Sequence, residues 1–149
     1  MTGAPASGAI WLASYPKSGN TWLRMAMAAM RADSDRIDIN RFRERNEVIA
    51  GLRETFDMVM PFDAADLGVD EILTVRPEMT RRFVRTLPAC SLLKTHEAYV
   101  RTPGGEWLIP PDATAAHIHV VRDPRDVALS YAAHRGVAVD EIIRFMGDP

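Results

Sequence analysis

The sequence contains a single cysteine, Cys90, and almost no excess of charge, with 18 lysines and arginines against 20 aspartates and glutamates. One cysteine excludes an internal disulfide and a cysteine-based zinc cluster, and it is typical of a reducing compartment. We therefore expect a cytoplasmic protein. A net charge of -2 creates no global field that would favour nucleic acid or an anionic membrane as a partner, so any anion site must be local.

Long apolar runs are also missing. None reaches the roughly 18 residues that a membrane span requires, and the N-terminus lacks the basic segment of a secretory signal. Neither a membrane partner nor secretion is predicted. The 149 residues, 47% of them apolar, are enough to build one domain with a real core. We expect a flexible N-terminus over residues 1–8 and one domain over residues 9–149.

Short apolar runs alternate with segments of helical spacing. The patterns predict strands over residues 9–14, 90–96 and 116–122, and helices over residues 21–32, 41–56, 77–87, 124–135 and 140–146. Pro77 is expected in the first turn of its helix, and Asp123 and Pro124 are expected to cap and open theirs, with Gly136 ending it. The alternation predicts an α/β fold whose mostly parallel sheet is flanked by helices.

Three polar clusters follow the three predicted strands. In open parallel sheets, ligands bind outside the carboxyl ends of the strands, so these clusters are expected to share one cleft. The clusters are Lys17-Ser18-Gly19, Lys94-Thr95-His96 and Arg122-Asp123.

The first cluster lies in the stretch YPKSGNTW, residues 15–22, which predicts a P-loop-like strand, tight loop and helix. The amides and positive dipole end of a helix start suit a phosphate or sulfate, and Lys17 adds a full charge. Gly19 permits close approach of the backbone, and Trp22 offers a flat face for a purine. Ser18, Asn20 and Thr21 add side-chain donors.

The same stretch has a plainer interpretation as an ordinary capped helix with a solvent-exposed lysine. It is not a Walker A sequence, because Lys17 precedes Gly19 rather than following the second glycine of that motif.

Lys94 and His96 alternate onto one face of the second predicted strand. A nearby ammonium group would hold His96 neutral, the form that accepts a proton from an attacking hydroxyl. The alternative is a solvated pair on an edge strand.

Farther along the chain, Arg122 ends the third predicted strand and Ser130 lies about two turns into the helix that Asp123 caps. Both could reach a second anion beside that helix, and the alternative is a purely structural role for both.

A metal site is not predicted. His117 and His119 share a strand face, but the sequence places no acidic or cysteine partner to complete a shell, which favours a structural role.

Taken in order, the segments YPKSGNTW, KTH and VVRDPRDVALSY resemble the cytosolic-type sulfotransferases that use 3′-phosphoadenosine-5′-phosphosulfate (PAPS). The resemblance runs from about Ile10 to the end of the chain. It implies that residues 17–21 hold the 5′-phosphosulfate, that Trp22 stacks on adenine, and that Arg122 and Ser130 bind the 3′-phosphate.

The resemblance also implies His96 as the catalytic base, with Lys17 and Lys94 offsetting charge on the transferring group, a small-molecule acceptor and no metal. Asn20 stands where threonine is commoner in the family, and Glu97 with Ala98 replaces a more apolar pair. We expect Glu97 to point away from His96 on an extended strand and not to orient it.

The main departure is length, because the chain resembles only the N-terminal part of a sulfotransferase and lacks the Gly-rich basic loop that closes over the cofactor. Such a chain is a fragment, a short variant, or one that completes its site as a homo-oligomer. Two other functions stay open, a P-loop-type small-molecule kinase and a non-catalytic nucleotide-binding module.

Overall fold

The computed structural model describes residues 8–31 and 53–147. Within these residues the strands are β1 (Ala9–Ser14), β2 (Leu92–Thr95) and β3 (Thr114–Val120), which form a parallel sheet in the order β2-β1-β3. The α-helices are α1 (Asn20–Arg31), α2 (Arg53–Val59), α3 (Val69–Arg85), α4 (Pro124–Arg135) and α5 (Val139–Gly147). The predicted α/β fold with a mostly parallel sheet is confirmed.

Two compact units make up the chain. In the described residues, the first comprises 8–13 and 53–118, and the second comprises 14–31 and 119–147. Each unit has its own apolar cluster. The predicted flexible N-terminus and most of the helix predicted over 41–56 lie outside the described residues, apart from the part that overlaps α2.

The first unit is built on the central strand β1. Its register with β2 runs from Ile10 opposite Leu92 to Ala13 opposite Thr95. Trp11 is 1% exposed, and its indole N–H donates to Thr114 Oγ1 at 3.1 Å, which satisfies its polar atom inside the core. The rest of this core comes from α2, α3, β2 and the segment before β3, and includes Phe56, Met79, Phe83, Leu93 and Ile109.

Helix α3 begins two turns earlier than the sequence predicts. Its first residue is Val69 rather than Pro77, so Pro77 is internal to the helix. The Glu71 carboxylate accepts a hydrogen bond from Gly68 N–H at 2.8 Å and thereby satisfies a donor at the true start. Pro77 removes one backbone donor, but its ring is fully buried, and packing against the core offsets that loss.

The strand predicted over residues 90–96 is shorter at both ends. Cys90 has a φ of 60°, a left-handed conformation that a strand does not allow, and Ser91 N–H closes a turn onto Pro88 O at 3.2 Å. At the other end β2 stops at Thr95, so His96 and Glu97 lie beyond it. Strand β3 is displaced by two residues from its predicted range of 116–122.

The second unit confirms the predicted helix boundaries at its C-terminal end. Asp123 accepts a hydrogen bond from Arg125 N at 2.9 Å as N-cap of α4, and Pro124 is the first helical residue. Gly136, with a φ of 69°, ends α4 in the left-handed conformation. Helices α4 and α5 then pack through Ala128, Ala132 and Ile142.

No helix in the described residues is both long enough and apolar enough to cross a membrane.

Candidate functional site

The connection from β1 to α1 is a tight turn over residues 15–19. Ser18 N–H donates to Tyr15 O at 3.2 Å, and Lys17, the third residue of this turn, has a φ of 68°. Proline in the second position and a positive φ in the third are typical of a type II turn. A lysine in that conformation is uncommon, so the backbone here carries strain that the surrounding fold must hold in place.

Gly19 makes the entry into α1. Its φ is 108°, a region open essentially to glycine, and its carbonyl accepts the first helical hydrogen bond from Leu23 N at 3.0 Å. The first amides of this 12-residue helix therefore follow the strained turn directly. Amides and the positive end of a helix dipole together form a local anion-binding feature.

The side chains after the turn divide between interior and surface. Ser18 is 8% exposed and Asn20 is 4% exposed, and Asn20 Nδ2 donates to Ser14 Oγ at 3.1 Å. Asn20 thus holds the turn against the end of β1 with its side-chain amide. Thr21 and Trp22 lie on the surface, and Trp22 is 73% exposed.

The third polar cluster reaches the first within the second unit. Arg122 Nη1 donates to Lys17 O at 3.2 Å, although the two residues are 105 positions apart in the chain. Arg122 Nε also lies 3.8 Å from Asp126 Oδ2, one turn into α4. The Arg122 guanidinium therefore contacts the backbone of the turn that contains Lys17.

Asp123 and Ser130 belong to the same helix. Besides capping α4, Asp123 accepts hydrogen bonds from the Arg125 guanidinium, and these interactions hold its pKa below the usual value. Asp123 is thus the N-cap that the sequence predicts. Ser130 is half-buried and lies about two helical turns after Asp123 in α4.

The second polar cluster lies in the first unit. Lys94 is half-buried within β2, and Thr95 is 4% exposed. His96 is exposed and directly follows the strand. The clusters containing Lys17 and Arg122 lie in the second unit, so the single cleft that the sequence predicts for all three stays a prediction.

Most of the chain matches one protein family. The model of the sulfotransferase domain family matches residues 7–143. The chain belongs to the sulfotransferase family. One curated relative is a luciferin sulfotransferase from Photinus pyralis, 28% identical over 128 residues, a match that covers 84% of this chain and 32% of the relative. The chain thus spans about a third of that relative's length. No solved structure matches significantly.

Residues of this sulfotransferase domain fit a nucleotide that carries more than one anionic group. The 15–19 turn supplies strained backbone before helix amides, and Lys17 and Arg122 supply two positive charges at that turn. The exposed ring of Trp22 is accessible to a base. In the described part of the chain, no group of three or more His, Cys, Asp or Glu residues is placed to hold a metal ion.

Two features near His96 were not predicted from the sequence. Arg76 of α3 forms an ion pair with Glu97 at 2.9 Å, across 21 residues. Tyr99 and Trp107 stack with ring centroids 4.4 Å apart, and Arg101 lies 4.2 Å from the Trp107 centroid. Neither pairing has a fixed sequence spacing, so no periodicity could have indicated it.

Proposed function

We propose that this domain transfers a sulfuryl group from PAPS to a hydroxyl, or an amine, of a small acceptor. The observation that carries the proposal is the hydrogen bond from Arg122 to Lys17 O, because it brings a second cation to a turn already suited to an anion. PAPS has anionic groups at both the 5′ and 3′ positions of its ribose. A site with two separate basic side chains suits such a ligand better than a site with one.

In the proposed binding mode, the 5′-phosphosulfate is held by Lys17, Ser18, Gly19, Asn20 and Thr21. Asn20 and Ser18 act mainly through their backbone amides, because both side chains are buried. Arg122 and Ser130 bind the 3′-phosphate, and Trp22 stacks on adenine. The exposure of Trp22 supports the last role, since an apolar ring at the surface gains contact area when it is covered.

In the proposed reaction, the acceptor oxygen forms a bond to sulfur while the bond from sulfur to the phosphate oxygen breaks. PAPS supplies the sulfuryl group and leaves as adenosine 3′,5′-bisphosphate. His96 takes the proton from the acceptor, and Lys17 and Lys94 offset the negative charge that grows on the transferring group and on the leaving phosphate. Exposure of His96 at the end of β2 supports a role in contact with an acceptor.

Membership of the sulfotransferase family supports sulfuryl transfer as the class of reaction. The curated relative is itself named as a sulfotransferase, which agrees with that class. Since the chain covers 32% of that relative, turnover by the 149-residue chain is itself part of the proposal, as is completion of the site by a second copy. The cytoplasmic location also stays a prediction.

The experiment is a transfer assay with labelled PAPS and a panel of hydroxyl and amine acceptors, combined with measurement of adenosine 3′,5′-bisphosphate binding. We expect Lys17→Ala to weaken nucleotide binding and to lower the rate. His96→Ala should leave nucleotide binding nearly intact and abolish transfer, because a proton acceptor acts only on the reacting acceptor.

Arg144→Ala is the matched control, because it removes a cation of the second unit that contacts Asp140 O of its own helix. Arg144→Ala should change neither nucleotide binding nor the rate of transfer. Equal loss of binding in Lys17→Ala and His96→Ala would contradict the assigned roles. Binding without transfer to any acceptor would indicate a non-catalytic module, and a requirement for magnesium with ATP would indicate a kinase.

A further inference from the structure

We infer that Arg76 and Glu97 are positioning residues for His96. The inference rests on the proposed role of His96 as the base and concerns how the first unit holds that residue at the end of a strand. The juxtaposition that carries it is an ion pair from helix α3 to the residue directly after His96.

His96 lies just beyond the register that fixes β2. The last paired residue is Thr95, opposite Ala13 on the central strand. From that point the sheet no longer dictates the path of the backbone, and a base must be held closely for efficient proton transfer. Another constraint on the chain after Thr95 is therefore needed.

Thr95 supplies the first constraint. Its side chain is buried, and its Oγ1 accepts a hydrogen bond from Glu97 N–H at 3.0 Å. This bond closes a short turn across His96, so both flanking residues are tied together. The expectation that Glu97 lies on an extended strand is therefore wrong, because β2 ends at Thr95 and Glu97 lies in this turn.

Arg76 supplies the second constraint. Its Nη2 donates to Glu97 Oε1 at 2.9 Å, and its side chain is only 14% exposed. Arg76 Nε is buried and has no hydrogen-bond partner among the described residues. Glu97 itself is 43% exposed, so the constraint comes from the Arg76 side, where a largely buried guanidinium with so few acceptors depends strongly on the one carboxylate that pairs with it.

The same helix holds the far end of the segment that follows His96. Arg81, one turn and a half after Arg76, donates to Glu106 at 2.6 Å and to Asp112 at 2.9 Å. The hydrogen bond to Glu106 is the main cause of a raised pKa at Arg81. Helix α3 therefore anchors the chain from Glu97 to Asp112 through two arginines, and Arg76 is the anchor next to the base.

Helix α3 also offers a matched control. Arg82 pairs with Glu78 at the same distance of 2.9 Å, but both side chains are 44% exposed and the pair joins two residues of α3 itself. Arg76→Met removes the donor of the proposed anchor and Glu97→Gln removes the charge of its acceptor, whereas Arg82→Met and Glu78→Gln make the same two changes in a pair of equal length within α3.

The first measurement is the imidazole signal of His96 in ¹H–¹⁵N spectra of the whole chain, assigned with His96→Gln. In Arg76→Met and Glu97→Gln we expect the chemical shift of the His96 imidazole to change and its order parameter to fall. Both control variants should leave the shift and the order parameter unchanged. The double variant should be no worse than the more damaging single variant, because the two residues act through one contact. Arg76→Lys, which keeps the charge, should restore part of the order.

The second measurement is transfer. Breaking the anchor should lower kcat about tenfold or more and leave the KM for PAPS within about twofold, since the nucleotide residues are untouched. An unchanged His96 signal in Arg76→Met and Arg76→Lys, or a change equal to that in the controls, overturns the inference. If the wild-type chain transfers no sulfuryl group, the proposed function fails, and the His96 signal still decides whether Arg76 and Glu97 position it.

Discussion

Replacement of Gly19 by alanine tests the 15–19 turn most sharply, because the added methyl group meets almost nothing. The nearest atom to the new Cβ would be Val120 Cγ1 at 4.0 Å, an ordinary van der Waals contact. The effect must therefore come from the backbone, whose φ of 108° is unfavourable for any residue with a side chain. Such strain costs about 1–3 kcal/mol.

Part of that cost is offset because alanine reduces the entropy of the unfolded chain, which stabilises by about 0.4–1 kcal/mol. We therefore expect Gly19→Ala to lower the free energy of unfolding by about 1–2 kcal/mol. If φ relaxes to relieve the strain, the amides at the start of α1 rotate with it. A loss of about 1.4 kcal/mol in their interaction with the nucleotide corresponds to a tenfold rise in Kd.

Gly136→Ala is the matched control. Gly136 also has a positive φ, 69°, and open space around its would-be Cβ, but it ends α4. Urea unfolding should show losses of similar size for both variants, and calorimetry should show weakened adenosine 3′,5′-bisphosphate binding for Gly19→Ala alone. Binding by Gly19→Ala within about twofold of the wild type, with normal loss of stability, would refute the assignment of this turn to the nucleotide.

Two further predictions concern Trp22 and Asp123. Trp22→Ala should weaken adenosine 3′,5′-bisphosphate binding by about 1–3 kcal/mol, the usual contribution of stacking on one base, and because the ring is 73% exposed the urea midpoint should hardly move; unchanged affinity would exclude stacking. The Asp123 pKa is lowered from 3.8, first by the hydrogen bond from the Arg125 side chain. A depressed folded-state pKa gives stability that is present above the unfolded value and is lost as pH falls through the folded one. The difference in stability between wild type and Asp123→Ala should therefore shrink below about pH 4, and a pH-independent difference would contradict this coupling.

The sequence predicted local features whose causes are local. Strand β1 was predicted from 9–14 because its apolar run is bounded by Tyr15-Pro16, and α4 was predicted from Asp123, Pro124 and Gly136, each of which acts within one turn. The predicted start of α3 was wrong because it was placed at Pro77, and proline is usually found in the first turn of a helix. Here the burial of the Pro77 ring, a tertiary effect, makes an internal position tolerable.

For the candidate site, one spatial relation could be predicted from the sequence. Lys17 and Arg122 were expected to be neighbours because both follow parallel strands, and the hydrogen bond from Arg122 to Lys17 O agrees with that rule. The left-handed conformation of Lys17 and the anchoring of Glu97 by Arg76 were not predictable. Both depend on contacts or turn geometry that no motif in a single sequence specifies.

The central claim is that the 15–19 turn, with Lys17 and Arg122, binds a nucleotide with separate 5′ and 3′ anionic groups. Calorimetric titration of the 149-residue chain with adenosine 3′,5′-bisphosphate in the presence of a metal chelator tests it most directly. We predict saturable binding without metal, weaker binding of adenosine 5′-monophosphate, and loss of that preference in Arg122→Ala, since Arg122 is assigned to the 3′-phosphate. No binding of adenosine 3′,5′-bisphosphate, or binding of ATP with magnesium instead, would contradict the account.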